Sequence, residues 1–128
     1  MQGLHLIADL HHCHCDSTLL VDAPALLQLC VRAVEAAGLQ AVNQLVHEFP
    51  AVAGVKSGVT ATVLLAESHL CIHTWPEIQA VTLDVYVCNF GGDHSAKAHG
   101  LMDALLAIFK PASADRHELQ RGALKKAT

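Results

Sequence analysis

Residues Leu64 to Glu77 read LLAESHLCIHTWPE. The stretch holds a carboxylate (Glu67), a hydroxyl (Ser68), two imidazoles (His69, His73), a thiol (Cys71) and Trp75, the only tryptophan of the chain. A further thiol, Cys88, follows Ser68 by 20 residues. A serine hydroxyl becomes a nucleophile once a base takes its proton, and imidazole and thiol groups move protons near neutral pH. Taken singly, each residue has an ordinary explanation. Ser68 suits a turn, His73 a hydrogen-bonded half-buried position, Cys88 a small buried hydrophobe and Trp75 a core or interface. The combination at this spacing is what calls for chemistry.

Such residues need rigid elements to hold them. Alternating or β-branched apolar runs predict strands over 3–10, 39–48, 59–66, 70–75 and 80–88, with a turn near Glu67 and Ser68. Asp22 can cap a helix that has Pro24 in its first turn. Leu26, Leu27, Cys30, Val31 and Val34 recur at helical spacing until Gly38 stops the run. A second helix is expected after the GGDHS loop, with Asp93 or Ser95 as cap. Its apolar stripe is Ala98, Leu101, Met102, Leu105, Leu106 and Phe109, closed by Pro111. Residues 11–21 read as irregular or a strand end, FPAVAGVKSG as a loop, and 112–128 as a loose polar tail with a short strand near His117–Gln120. The order of elements predicts a single α+β domain over 1–128, a two-layer sandwich with a mostly antiparallel sheet and both helices on one face.

Alternation then sorts the side chains. Val81, Leu83, Val85 and Val87 belong under the helices with Leu70 and Ile72. Thr82, Asp84, Tyr86 and Cys88 share the other face with Cys71, His73, Trp75, Thr60, Thr62 and Leu64. Apolar groups on an open sheet face want cover, and no third helix is predicted to supply it. A second protomer, sheet against sheet in an αββα assembly, is the expected cover, with a cleft in or near the interface.

Composition narrows the function classes. The chain has 128 residues, 52% hydrophobic and 16% charged, with a formal net charge of -4. Basic residues are few apart from Lys125 and Lys126, so a nucleic-acid partner is not expected. No apolar run is long enough to span a bilayer, and the N-terminus does not read as a signal peptide. Five cysteines are an odd number without disulfide spacing, which suits reduced thiols in the cytoplasm.

ESHLCIHTWPE, with a cysteine 20 residues beyond its serine, resembles the bacterial S-adenosylmethionine decarboxylase proenzyme family. The likeness runs from GLHLIADL through GVTATVLLAESHLCIHTWPE to VTLDVYVCNF and the next helix. It implies self-cleavage between Glu67 and Ser68, giving chains 1–67 and 68–128, and conversion of Ser68 into a covalent pyruvoyl cofactor. That ketone would form a Schiff base with the amine of S-adenosylmethionine and draw electrons from it as CO₂ leaves. The resemblance makes His73 the candidate base in processing, with Thr60 assisting, and Cys88 the general acid. It places Phe49, Trp75 and Glu77 in the substrate pocket, in a homodimer of processed protomers serving polyamine synthesis. Some positions depart from the family pattern: Cys71, Ala61, Thr60 and a longer loop from Phe49 to Gly58. The loop bears on substrate choice, so ornithine or arginine decarboxylation on the same scaffold is an alternative, as is an unprocessed non-catalytic partner subunit.

HHCHCD, residues 11–16, invites a metal reading. Alternation splits it, with His11, Cys13 and Cys15 on one side and His12 and His14 on the other, and no second ligand pair follows at finger-like spacing. No metal is expected there. His94, His99 and His117 read as solvated, and Lys125–Lys126 as a charged tail.

Overall fold

A computed structural model of the chain describes residues 2–89 and 91–122; Lys125 and Lys126 lie outside them. One six-stranded sheet has the order β2-β3-β4-β5-β1-β6. The strands are β1 (Gly3–Cys13), β2 (Ala41–Glu48), β3 (Val59–Leu65), β4 (Ser68–Trp75), β5 (Ala80–Cys88) and β6 (Pro111–Arg121). Every neighbouring pair is antiparallel. The helices are α1 (Thr18–Val21), α2 (Ala23–Ala36) and α3 (Ser95–Phe109). The expected α+β class, the five strands and the two long helices are all present.

The core lies between the sheet and the long helices. α2 packs on β2 and β3, α3 on β1 and β5, and the two helices touch each other. Leu6, Leu10, Val63, Ile72, Val81 and Val85 are buried against Leu26, Val34, Leu101, Leu105 and Phe109. Complete burial of such side chains stabilises by about 1.5–3 kcal/mol each. The expected cap holds on α2, where Asp22 is the N-cap, but not on α3, whose N-cap is His94 with no side-chain cap bond and Asp93 one residue before it. Asp22 accepts the Ala25 N–H at 3.1 Å, and Asp93 accepts the Ser95 N–H at 2.9 Å. That bond holds the Asp93 carboxyl below its ordinary range.

Two segments differ from the expected reading. Over residues 111–121 the tail is not loose: the short strand expected near His117–Gln120 is part of β6, an 11-residue strand paired along β1 from Arg121 opposite Gly3 to Pro111 opposite Cys13. Its residues are polar and mostly exposed because it is an edge strand, so no alternation marks it. Residues 11–21 are likewise more regular. β1 continues to Cys13, and α1 follows, with the Asp16 carboxylate accepting the Thr18 N–H at 3.0 Å. Four residues are too few to show a helical period.

At the start of β3, Gly58 meets the last turn of β4. A Cβ there would collide with the Thr74 carbonyl oxygen. The buried Thr74 hydroxyl donates to the Leu20 carbonyl at 2.7 Å and accepts the Val59 N–H at 2.8 Å. This joint ties α1, β3 and β4 beside a cleft that Leu20, Gly58 and Thr74 help to line.

Candidate active site

The motif residues divide between the two ends of β4. At the first end, a two-residue turn, Ala66 and Glu67, joins β3 to β4, closed by Leu65 opposite Ser68. Glu67 has φ of 60°, in the left-handed region. For a residue with a Cβ this costs on the order of 1–3 kcal/mol. The strain sits on the residue whose carbonyl precedes Ser68. The Ser68 Oγ accepts the Cys88 N–H at 3.0 Å. Cys88 is buried, 5% exposed, at the end of β5. Strained carbonyl, hydroxyl and thiol-bearing residue are therefore neighbours.

The other end of β4 opens into a cleft of about 850 Å³. Phe49, Thr60, His73, Trp75 and Glu77 all line it. Thr60 stands opposite His73 in the ladder, and its Oγ1 lies 2.9 Å from His73 Nδ1. Trp75 donates its Nε1–H to Thr82 Oγ1 at 3.2 Å, which fixes the ring while leaving 44% of the residue exposed. Phe49 stands edge-on to His47, with ring centres 4.9 Å apart. The 49–58 loop is closed at its base by the Phe49 N–H on the Gly58 carbonyl and at its tip by reciprocal bonds between Val52 and Val55. Two exposed aromatic faces and a carboxylate suit a flat, cationic ligand.

The predicted residues thus form two groups. Glu67, Ser68 and Cys88 come together; Thr60, His73, Phe49, Trp75 and Glu77 come together. One chain does not unite them. Ser68 and His73 are five positions apart on one strand, which puts them on opposite faces and roughly 16 Å apart at about 3.3 Å per residue. The open face, as alternation predicts, carries His73, Trp75 and Leu64, the last 46% exposed.

The structure also gathers residues that motif spacing did not single out. His5 and His69 both reach Asp84 on the open face, at 2.9 and 2.8 Å. Alternation within GLHLIADL assigns His5 to one face of β1, but only the β1–β5 register brings it to Asp84. Cys13 and Cys15 line the cleft wall. Burial, and then the neighbouring Cys15, push the Cys13 thiol up to about 11, so it is a protonated wall group. The His11–Asp16 cluster disperses: His11 pairs with Asp115 at 3.0 Å, and Cys13 turns into the core.

Comparison with known proteins matches this geometry to a family. The profile described as S-adenosylmethionine decarboxylase matches residues 4–122. An S-adenosylmethionine decarboxylase proenzyme of Picrophilus torridus is 35% identical over 94% of this chain and 84% of its own length. One from Aquifex aeolicus is 36% identical over 97% of this chain and 84% of its own. The crystal structure of the adenosylmethionine decarboxylase from Aquifex aeolicus superimposes with a TM-score of 0.81 at 32% identity, covering 98% of this chain and 95% of that one. The chain belongs to the S-adenosylmethionine decarboxylase family.

Proposed function

We propose that this chain is a self-processing, pyruvoyl-dependent S-adenosylmethionine decarboxylase acting in the cytoplasm as a homodimer, and that it makes the aminopropyl donor for polyamine synthesis. The observation that carries the reading is the Ser68 hydroxyl, bonded to the Cys88 N–H directly after the strained Glu67. The five cysteines are all free thiols, which suits a reducing compartment. No helix among the described residues is long and apolar enough to cross a membrane.

Processing follows from the residues. Ser68 Oγ attacks the Glu67 carbonyl carbon; the peptide C–N bond breaks, an ester C–O bond forms, and the amino group of Ser68 is freed. Removal of the Ser68 α-proton then expels the Glu67 carboxylate by β-elimination. Water replaces the nitrogen of the resulting enamine, and ammonia leaves. The left-handed Glu67 raises the energy of the intact chain and so favours the first step.

The site fits the group so formed. The Cys88 N–H that now donates to Ser68 is a donor for a carbonyl oxygen at the new terminus, and Cys88 itself is buried. The pyruvoyl group supplies an electrophilic ketone and an electron sink for the departing carboxylate. Cys88 supplies the proton that replaces CO₂. Phe49 and Trp75 stack on the adenine and face the sulfonium, and Glu77 binds polar groups of the substrate.

His73 and Thr60 must reach the processing centre from elsewhere, since their own Ser68 lies about two-thirds of a strand away on the opposite face. A second copy supplies them. Leu45, Leu64, Trp75 and Leu119 are 76, 46, 44 and 49% exposed on one open sheet face, an apolar surface that a stacked second sheet would cover. A two-fold arrangement with β4 of one copy crossing that of its partner brings the Ser68 end of each toward the His73 cleft of the other. Co-expression of Ser68→Ala and His73→Ala chains tests this. Each alone should remain whole, and together they should yield cleaved His73→Ala chain and release of labelled CO₂ from S-adenosylmethionine. No cleavage in the mixture would place the base within one chain and overturn the shared site.

A further inference from the structure

Cleavage before Ser68 would make Ser68 a chain terminus. Its segment would lose the covalent tether to Glu67, while catalysis would require that end to stay fixed. The neighbouring residue carries a tether of another kind. His69 Nε2 donates to Asp84 Oδ2 at 2.8 Å. The same oxygen meets His5 Nε2 at 2.9 Å, and Arg121 donates from its guanidinium to His5 Nδ1 at 3.1 Å.

The ladder explains why these groups meet. His69 and His5 both stand opposite Tyr86, one on each side, and both reach diagonally to Asp84 two residues back on β5. The two rings lie 5.7 and 5.6 Å from the Tyr86 ring, and the Arg121 guanidinium carbon 5.0 Å from its centre. One chain of side-chain bonds therefore crosses β4, β5, β1 and β6. Arg121 has only donors, so His5 Nδ1 accepts and the His5 proton sits on Nε2, facing Asp84. His69 meets the same carboxylate oxygen as a donor.

We propose that His69, held by Asp84, is a positioning residue for the terminus created at Ser68. The inference rests on the processing reading above. Before scission, the hairpin and the Glu67–Ser68 peptide bond hold the serine. Afterwards the β4 ladder and the His69–Asp84 link hold it, and Asp84 is itself braced by His5 and Arg121. The three ligand atoms of His5, His69 and Asp84 also lie within 4.8 Å of one another, a spacing compatible with a metal ion. Arg121 argues against that use. A metal on His5 Nε2 would drive its proton to Nδ1, against a cation that can only donate.

The test uses the full chain with His69→Leu and His69→Gln, the second keeping an N–H that can reach Asp84. Cleavage is followed by intact mass. Turnover is split into kcat and KM, and amide exchange at residues 69–71 is measured on processed protein. The tether predicts that His69→Leu is cleaved within about threefold of the wild-type rate, while kcat falls roughly 10- to 100-fold and KM moves less than about threefold. Exchange at 69–71 should quicken, and His69→Gln should restore most of both. A processed His69→Leu enzyme with wild-type kcat and exchange overturns the proposal and leaves the decarboxylase reading intact. If His69→Leu fails to fold, a folded, processed His69→Gln enzyme with loosened exchange overturns it equally. A rise in Tm with zinc chloride, abolished in the His69 variants, overturns it in favour of a metal site. A wild-type chain that never cleaves removes both readings together.

Discussion

The two ends of β4 differ in build. At Ser68 the chain is tight: a two-residue turn, a left-handed Glu67, a hydroxyl bonded to the next strand and a buried Cys88. At Trp75 it is wide: an open cleft with two half-exposed aromatic rings, a carboxylate and an imidazole. Making and breaking bonds needs fixed geometry and stored strain, whereas holding a flat cation needs faces and room. ESHLCIHTWPE is continuous in sequence, yet its parts lie at opposite ends and on opposite faces of β4. The difference teaches that a compact motif can describe half of each of two sites.

The largest expected effect separates the ends outright. Ser68→Ala should leave the chain whole on a denaturing gel and abolish decarboxylation, with the Trp75 end still binding substrate. Cys88→Ala should spare scission yet lower kcat by roughly 10²–10⁴-fold, the range for loss of a proton donor. At the other end, Trp75→Ala should raise KM by roughly tenfold for a lost stacking platform, with chain scission unchanged. A Trp75→Ala chain that cannot cleave would erase the division of labour.

Two smaller effects concern the shared scaffold. Burial raises the Cys30 thiol from its ordinary 9.0 to about 12. The folded protein then keeps a proton that the unfolded chain releases. Stability from this group is complete below about pH 9 and declines by about 1.4 kcal/mol per pH unit as pH rises toward 12. Urea unfolding across that window should show the decline, and Cys30→Ala should flatten it. Asp22→Ala should cost about 1 kcal/mol through the lost cap on α2 and change neither end of β4.

Much of this molecule was legible in its residues. Val81, Leu83, Val85 and Val87 alternate cleanly because β5 is central, with helices on one side and the open face on the other. Asp22, Pro24 and Gly38 marked α2 because caps and breakers act locally. Of β6 only the stretch near His117–Gln120 was legible, since an edge strand with mostly exposed residues needs no apolar period, and its partner β1 lies about a hundred residues earlier in the chain. Phe49, Thr60, His73, Trp75 and Glu77 line one cleft, although the resemblance divided them between processing and substrate binding. Their separation from Ser68 follows from counting along β4: an odd offset reverses the face. His5, His69 and Asp84 stayed hidden because their meeting depends on the β1–β5 register, which alternation in one strand does not give.

The central claim is that Ser68 cuts its own backbone, and intact mass spectrometry of the purified chain tests it most directly. The account predicts two polypeptides, residues 1–67 ending in a free carboxylate and residues 68–128 lighter by one ammonia than a serine-terminated fragment. A single full-length polypeptide after prolonged incubation, with Ser68 unaltered, would contradict it.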